Sequence, residues 1–185
     1  MRIIGGSARR TPLTAPRGLE VRPSSDSLRQ RLFDVLGERL VGVRLWDACA
    51  GTGAVGLEAL SRGASLVVFS EPADMALKAL RRNIERCGFP AGSHALWALP
   101  WRAAARRLRR QERRFGIIYY DPPFAAADYP GFALAALELI EPDGILAMEH
   151  PGPRPPPVEL RGFVHWRTIG SRSVAVSLYR PSGAA

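Results

Sequence analysis

Four almost uninterrupted apolar runs punctuate this chain: "VRLWDACA" (43–50), "SLVVFSE" (65–71), "FGIIYYD" (115–121) and "ILAMEH" (145–150). A strand that is apolar on both faces must be covered on both faces, which is the habit of parallel sheets flanked by helices. Segments of helical period fall between the runs. Residues 24–40 carry Leu28, Leu32, Val35, Leu36 and Leu40 on one face, with Ser24, Ser25 or Asp26 able to cap the start. Residues 73–88 form a second helical pattern closed by Gly88, and 101–114 and 129–144 two more. "HALWAL" reads as a weaker strand, and "FVHWRTI" with "SVAVSLYR" as a terminal hairpin. The alternation specifies an α/β chain with a doubly wound, mostly parallel sheet of seven strands.

The 185 residues, 46% hydrophobic and 23% charged, suffice for one core. Residues 24–185 read as a single domain and 1–23, rich in Gly, Pro and Arg, as an extended arm or short hairpin appended to it. A monomer is expected. The apolar runs fall well short of a membrane span, and "MRIIGGSARR" has no apolar leader core, so the cytoplasm is expected. Cys49 and Cys87 make neither a disulfide framework nor a metal-ligand cluster, so no metal is expected. A formal net charge of +9, carried by arginine everywhere except Lys78, points to a polyanionic partner.

Chemistry concentrates at two strand ends. "DACAGTGAVG" places Gly51, Gly53 and Gly56 between a strand and a helix, where backbone can approach a ligand and the helix N-terminus attracts an anion. Glu71 ends the next strand, placed to accept from ribose hydroxyls. This is a nucleotide-cofactor site, lined by Asp47, Ala48, Cys49, Ala50, Gly51, Thr52 and Gly53. A nicotinamide cofactor would fit these residues. Asp47 ahead of the glycines, where it could meet an ammonium group, and a helix preceding the motif both favour S-adenosylmethionine.

The second strand end decides between them. In "YYDPPF" the strand must stop at Asp121, because Pro122 and Pro123 cannot donate to a ladder. An exocyclic nucleobase amine is a poor nucleophile, its lone pair being delocalised into the ring. Acceptors that hold both N–H groups out of plane localise that lone pair; the Asp121 carboxylate and the Pro122 carbonyl can supply them, while Phe124 stacks on the base. Dehydrogenases have no use for such a cluster.

Asp121-Pro122-Pro123-Phe124 resembles the (D/N/S)PP(aromatic) motif of class I, Rossmann-like, S-adenosylmethionine-dependent amino-methyltransferases. "MRIIGG", "RPSSDSLRQRLFDVL" (22–36) and "DACAGTGAVGLEALSRGA" (47–64) further resemble the ribosomal small-subunit methyltransferase D (RsmD) family, along nearly the whole chain. The resemblance implies methylation of N2 of one guanine in 16S rRNA, free or within the small subunit. By position, Gly51, Gly53, Glu71, Pro72, Leu99 and Pro100 would hold the cofactor. Arg22, Asp26 and Arg29 would face the RNA side of the pocket, and the arm, with Arg9 and Arg10, would grip the RNA. Three positions depart from the family pattern: Pro72 and Pro100 beside the cofactor, and Gly116 where an acid is common. Another amino target, adenine N6 or a protein amide, and an RNA-binding member without catalysis are the competing readings.

Other features are less telling. Arg102, Arg106, Arg107, Arg109, Arg110, Arg113 and Arg114 crowd one segment, as a phosphate track or a solvated face. His94, His150 and His165 lack partner spacing and read as structural. Trp97 and Trp101 flank the third strand's exit, as core or as an adenine shelf.

Overall fold

The computed structural model describes residues 1–16, 24–152, 155–156 and 159–183. Among these residues, eight strands and five α-helices follow in chain order, alternating up to β5: α1 (Ser24–Leu36), β1 (Arg44–Asp47), α2 (Ala54–Ser61), β2 (Leu66–Ser70), α3 (Asp74–Cys87), β3 (His94–Trp97), α4 (Trp101–Arg110), β4 (Phe115–Tyr120), α5 (Tyr129–Leu137), β5 (Ile140–Pro151), β6 (Glu159–Leu160), β7 (Phe163–Gly170) and β8 (Val174–Pro181). The seven expected strands are all present, and the two-residue β6 extends the edge. The sheet order is β3-β2-β1-β4-β5-β8-β7-β6. β1 to β5 are mutually parallel, and β8, β7 and β6 add antiparallel strands. The class I methyltransferase fold expected from the sequence is what forms.

Period-two alternation sorts side chains onto the two faces. Leu45, Ile117, Ile145 and Val176 pack with Leu32 of α1, Leu57 of α2 and Leu80 of α3. Trp46, Ile118, Leu146 and Tyr179 pack with Leu108 of α4 and Phe132 of α5. Among the described residues no helix is long and apolar enough to cross a membrane.

One helix is shorter than its sequence pattern. α5 stops at Leu137, and β5 begins at Ile140, inside the expected 129–144 helix. Pro142 has no N–H for a helical bond. Ile140 instead pairs with Phe115 across a register shift, and the Phe115 N–H donates to the Leu139 carbonyl at 2.8 Å. Gly116, the departure noted above, sits in this shift. A Cβ there would lie 2.5 Å from Val43 Cγ2 and 3.1 Å from Glu141 Oε2. An acid at 116 would strike both, so the missing carboxylate is a packing requirement.

The start of the chain is a short hairpin: the Arg10 N–H donates to the Ile3 carbonyl at 2.9 Å and the Leu13 N–H to that of Met1 at 3.1 Å. It is built into the core. Ile3 is fully buried, and the N–H groups of Ile4 and Gly5 donate to the two oxygens of the buried Glu58, at 2.7 and 2.8 Å.

Candidate active site at the switch point of the sheet

From β1 the chain winds outward through β2 and β3, then crosses back to β4 on the other side of β1. Where strand order reverses, the helices that follow β1 and β4 diverge and leave a crevice at the strands' C-terminal ends. A cavity of about 800 Å³ opens there, with Asp47, Gly51, Glu71, Asp121, Phe124 and Glu149 in its wall. Asp47 pairs with Tyr119 across β1 and β4, and the Ala48 N–H donates to the Tyr119 carbonyl at 3.0 Å. The two motifs, some seventy residues apart in sequence, therefore meet in one hollow. A second hollow of about 340 Å³ beside Arg81, Glu85 and His94 gathers no comparable set of groups.

The glycine turn is held by carboxylates. Gly53 takes φ 80° to start α2, a left-handed conformation that only glycine adopts cheaply. A Cβ on Gly56 would lie 2.2 Å from the Phe69 ring, so this glycine lets α2 press onto β2. Asp47 accepts from the Gly56 N–H at 3.1 Å. Glu71 accepts from the Gly51 N–H at 2.9 Å and from the Ala73 N–H at 2.8 Å, tying the turn to the entry of α3. Burial pushes the Asp47 carboxyl up to about 7, against the Gly56 hydrogen bond and with added repulsion from Glu71. A buried carboxyl so perturbed, in a cavity wall, suits a cationic ligand group. Burial and the carboxylates of Asp47, Asp121 and Glu71 push the Cys49 thiol up as well, so it is a poor nucleophile.

At the other end, β4 closes on Tyr120 and Asp121 follows into the wall. Pro122 is buried, and the Pro123 carbonyl accepts from the Ala126 N–H at 2.8 Å, closing the single 3-10 turn that carries the half-buried Phe124. The loop beyond is pinned twice: the Asp128 N–H donates to the Tyr120 hydroxyl at 3.2 Å, and the Asp128 carboxylate caps α5 at Gly131 and pairs with Arg102. Rigid backbone around Asp121 is what positioning chemistry needs.

Most of the residues expected at the site reach it. Asp47, Cys49, Ala50, Gly51, Thr52, Glu71, Pro72, Pro100 and Asp121 to Phe124 line the cavity, as does Arg29. Ala48 is wholly buried, and Gly53 and Leu99 are absent from the wall. Arg29 is 4% exposed; its guanidinium donates to the Arg2 carbonyl at 2.6 Å and to Asp26 at 3.1 Å, and its Nε lies 3.7 Å from Glu58. Asp26 itself stands outside the wall, and Arg9 and Arg10 are exposed on the hairpin. Arg22 lies outside the described residues.

The two tryptophans separate. Trp97 belongs to the core with Arg107 over its ring, whereas Trp101 lines the cavity. His150 is buried between the Pro151 carbonyl and Ser177 Oγ, and His165 packs edge-on to Tyr179. The α4 arginines are exposed, with Arg109 paired to Glu138. Sequence reasoning missed Tyr119 and Glu149, both in the wall. Glu149 had a legible signal: like Asp121, it is an acid near the C-terminal end of a parallel strand.

Known proteins share this fold and much of this sequence. The family described as "Conserved hypothetical protein 95" matches residues 1–180. Ribosomal RNA small subunit methyltransferase D of Escherichia coli K12 is 32% identical over 149 residues, covering 80% of this chain and 71% of that protein. The structure of a hypothetical protein from Thermus thermophilus superimposes with a TM-score of 0.83 at 32% identity, over 97% of this chain and 99% of that one. That of yhhF from Escherichia coli has a TM-score of 0.83 at 25% identity, over 100% and 99%. With its fold, glycine turn, DPPF loop and near-complete family match, the chain belongs to the ribosomal small-subunit methyltransferase D family.

Proposed function

We propose that this protein methylates the exocyclic N2 amine of one guanine in 16S rRNA, free or in the small ribosomal subunit, with S-adenosylmethionine as the donor. The observation that carries the reading is the single cavity shared by the glycine turn and Asp121 to Phe124. The residues present fit the donor: the Asp47 carboxyl suits its ammonium, Glu71 at the second strand's end suits its ribose, and Pro72, Pro100 and Trp101 make an apolar wall for its adenine. When bound, the donor would supply an electrophilic methyl on a sulfonium sulfur, with its thioether as the leaving group.

The chain's part is orientation. Asp121 and the Pro122 carbonyl hold the amine's two N–H groups, Phe124 stacks on the base, and the nitrogen's proton passes late to the Asp121 carboxylate that already holds it, once methylation has made it acidic. Orienting two reactants supplies roughly 7–11 kcal/mol of a barrier, against about 10²–10⁴-fold for general-base help, so positioning outranks proton abstraction. The base must be extruded from any helix to enter. Arg9 and Arg10 on the hairpin and the exposed α4 arginines hold phosphates, within a net charge of +9.

Mass spectrometry of 16S rRNA from a deletion strain tests the assignment. One N2-methylguanine should vanish and return on complementation; an unchanged pattern rejects the reading. Cofactor affinity should also depend on pH. Below about 7 Asp47 is neutral, and an ammonium must expel its proton, so affinity should rise by up to about tenfold per pH unit up to 7 and fall again above about 8, where the donor's own ammonium deprotonates. The ligand-free fold shows the opposite trend from this group. Its carboxyl ionises near 3.8 when unfolded and near 7 when folded, so it subtracts stability as pH rises between those values. Calorimetry with S-adenosylmethionine from about pH 5.5 to 8.5 measures the first effect, and a flat profile would remove Asp47 from the ammonium site.

A further inference from the structure

One acid in the cavity wall has no task in the transfer described above. β4 and β5 run parallel with Tyr120 opposite Met148, so Asp121 and Glu149 follow directly on that pair near the C-terminal ends of these two central strands. Neighbouring strands lie about 4.8 Å apart, and both residues line the same cavity. Glu149 is also aimed. The Tyr119 hydroxyl donates to its Oε2 at 2.6 Å, and the Tyr129 hydroxyl donates to its backbone carbonyl at 3.0 Å. Tyr119 is buried beside Glu149 and Asp121, which pushes its phenol well up and keeps it a donor. A carboxylate has roughly four acceptor positions, so one bound hydroxyl does not exhaust it.

A guanine presents two kinds of donor side by side: the two N–H groups of N2, and the ring N1–H next to them. In adenine the ring nitrogen next to the amine has a lone pair, which a carboxylate repels. We propose that Glu149 determines base specificity, its carboxylate accepting the N1–H of the target guanine while Asp121 holds the N2 amine. The inference rests on the proposed function and deepens it: the same cavity becomes selective for a base whose amine neighbours a ring N–H. Bases with an acceptor at that ring position leave a buried lone pair facing a carboxylate, which costs more than a lost bond.

The test uses 2-aminopurine, which keeps the reacting amine but has a lone pair at N1. Small-subunit particles are reconstituted around 16S rRNA carrying, at the guanine identified in the deletion strain, either guanine or 2-aminopurine. Methyl transfer to each is measured for the unaltered protein, Glu149→Gln and Tyr119→Phe. The unaltered protein should prefer guanine by about 100-fold or more in kcat/KM. Glu149→Gln should slow guanine methylation by about tenfold or more and spare or raise that of 2-aminopurine, because its amide can donate to N1, so the preference collapses. 2-Aminopurine also lacks O6, but that difference between the bases is the same for both proteins, so the ratio of ratios isolates Glu149. Tyr119→Phe keeps the carboxylate but releases it, and should narrow the preference in the same direction by a smaller factor. It carries the test if Glu149→Gln does not fold. Equal losses on both bases would make Glu149 a structural prop and overturn the inference, as would an unaltered protein that methylates guanine without discriminating against 2-aminopurine. Failure of the unaltered protein to methylate guanine at N2 would instead overturn the proposed function, and this inference with it.

Discussion

Asp121→Ala should lower methyl-transfer turnover by on the order of 10³-fold while leaving S-adenosylmethionine affinity almost unchanged. Asp121 follows the end of β4, next to the rigid Pro122 and Pro123, and shares the cavity wall with the glycine turn proposed to hold the donor. Alanine removes an acceptor from the amine and leaves the backbone of the loop, held by the 3-10 turn and by Tyr120 and Asp128, in place. An interaction made with the reacting nitrogen and strengthened in the transition state is lost from kcat, not from donor binding. Asp121→Asn, which keeps an acceptor oxygen without the charge, should fall between the two. Single-turnover rates on particles from the deletion strain, with calorimetry for the donor, separate these terms. A comparable loss in donor affinity would assign the carboxylate to the cofactor.

The second large effect is on stability. Glu58→Ala should destabilise the fold by about 3–5 kcal/mol, because it strips counter-charge from the buried Arg29 and the half-buried Arg62 and leaves two N–H groups without their acceptor. Glu58 is fully buried and accepts from the Ile4 and Gly5 N–H groups and from Arg62 Nε at 2.8 Å, with Arg29 Nε at 3.7 Å. Arg29 is itself almost wholly buried, with one guanidinium bond to the hairpin at Arg2. One carboxylate thus binds the N-terminal hairpin, α1 and α2 together behind the cavity. Denaturant unfolding measures the loss, and amide exchange at Ile4 and Gly5 should accelerate with it. A loss below about 1 kcal/mol would mean that water replaces the carboxylate, as at exposed pairs. Glu58→Gln, which can still accept from the backbone, should cost less.

Tertiary context, not local pattern, decided which parts of this molecule could be read in advance. β1, β2, β4 and the start of α2 were legible because apolar runs and a glycine turn are local signals, written within about ten residues. The α5–β5 boundary was not. The helical spacing of residues 129–144 continues past Leu137, and the pairing of Ile140 with Phe115 ends the helix earlier than Pro142 alone would require. Gly116 looked like a lost acid until Val43 and Glu141 were found where its side chain would go. The arm read as an appendage because its Gly, Pro and Arg content is that of a tether, yet Ile3 is in the core. Glu58 gave no hint of its role, since an acid within a helix is ordinary until the segment that donates to it is known.

The sequence by itself determined the chemistry available: a turn able to admit a nucleotide, an acid ahead of a proline pair, and a cationic surface for a polyanion. These depend on residue type and spacing along one stretch of chain. Only the tertiary structure decided that Asp47 faces Tyr119, that Asp121 and Glu149 come side by side near the C-terminal ends of adjacent strands, and that Tyr119 aims the second acid. Strand order is set by where each crossover lands, which depends on burying both faces of the sheet at once. No single stretch of sequence contains that information.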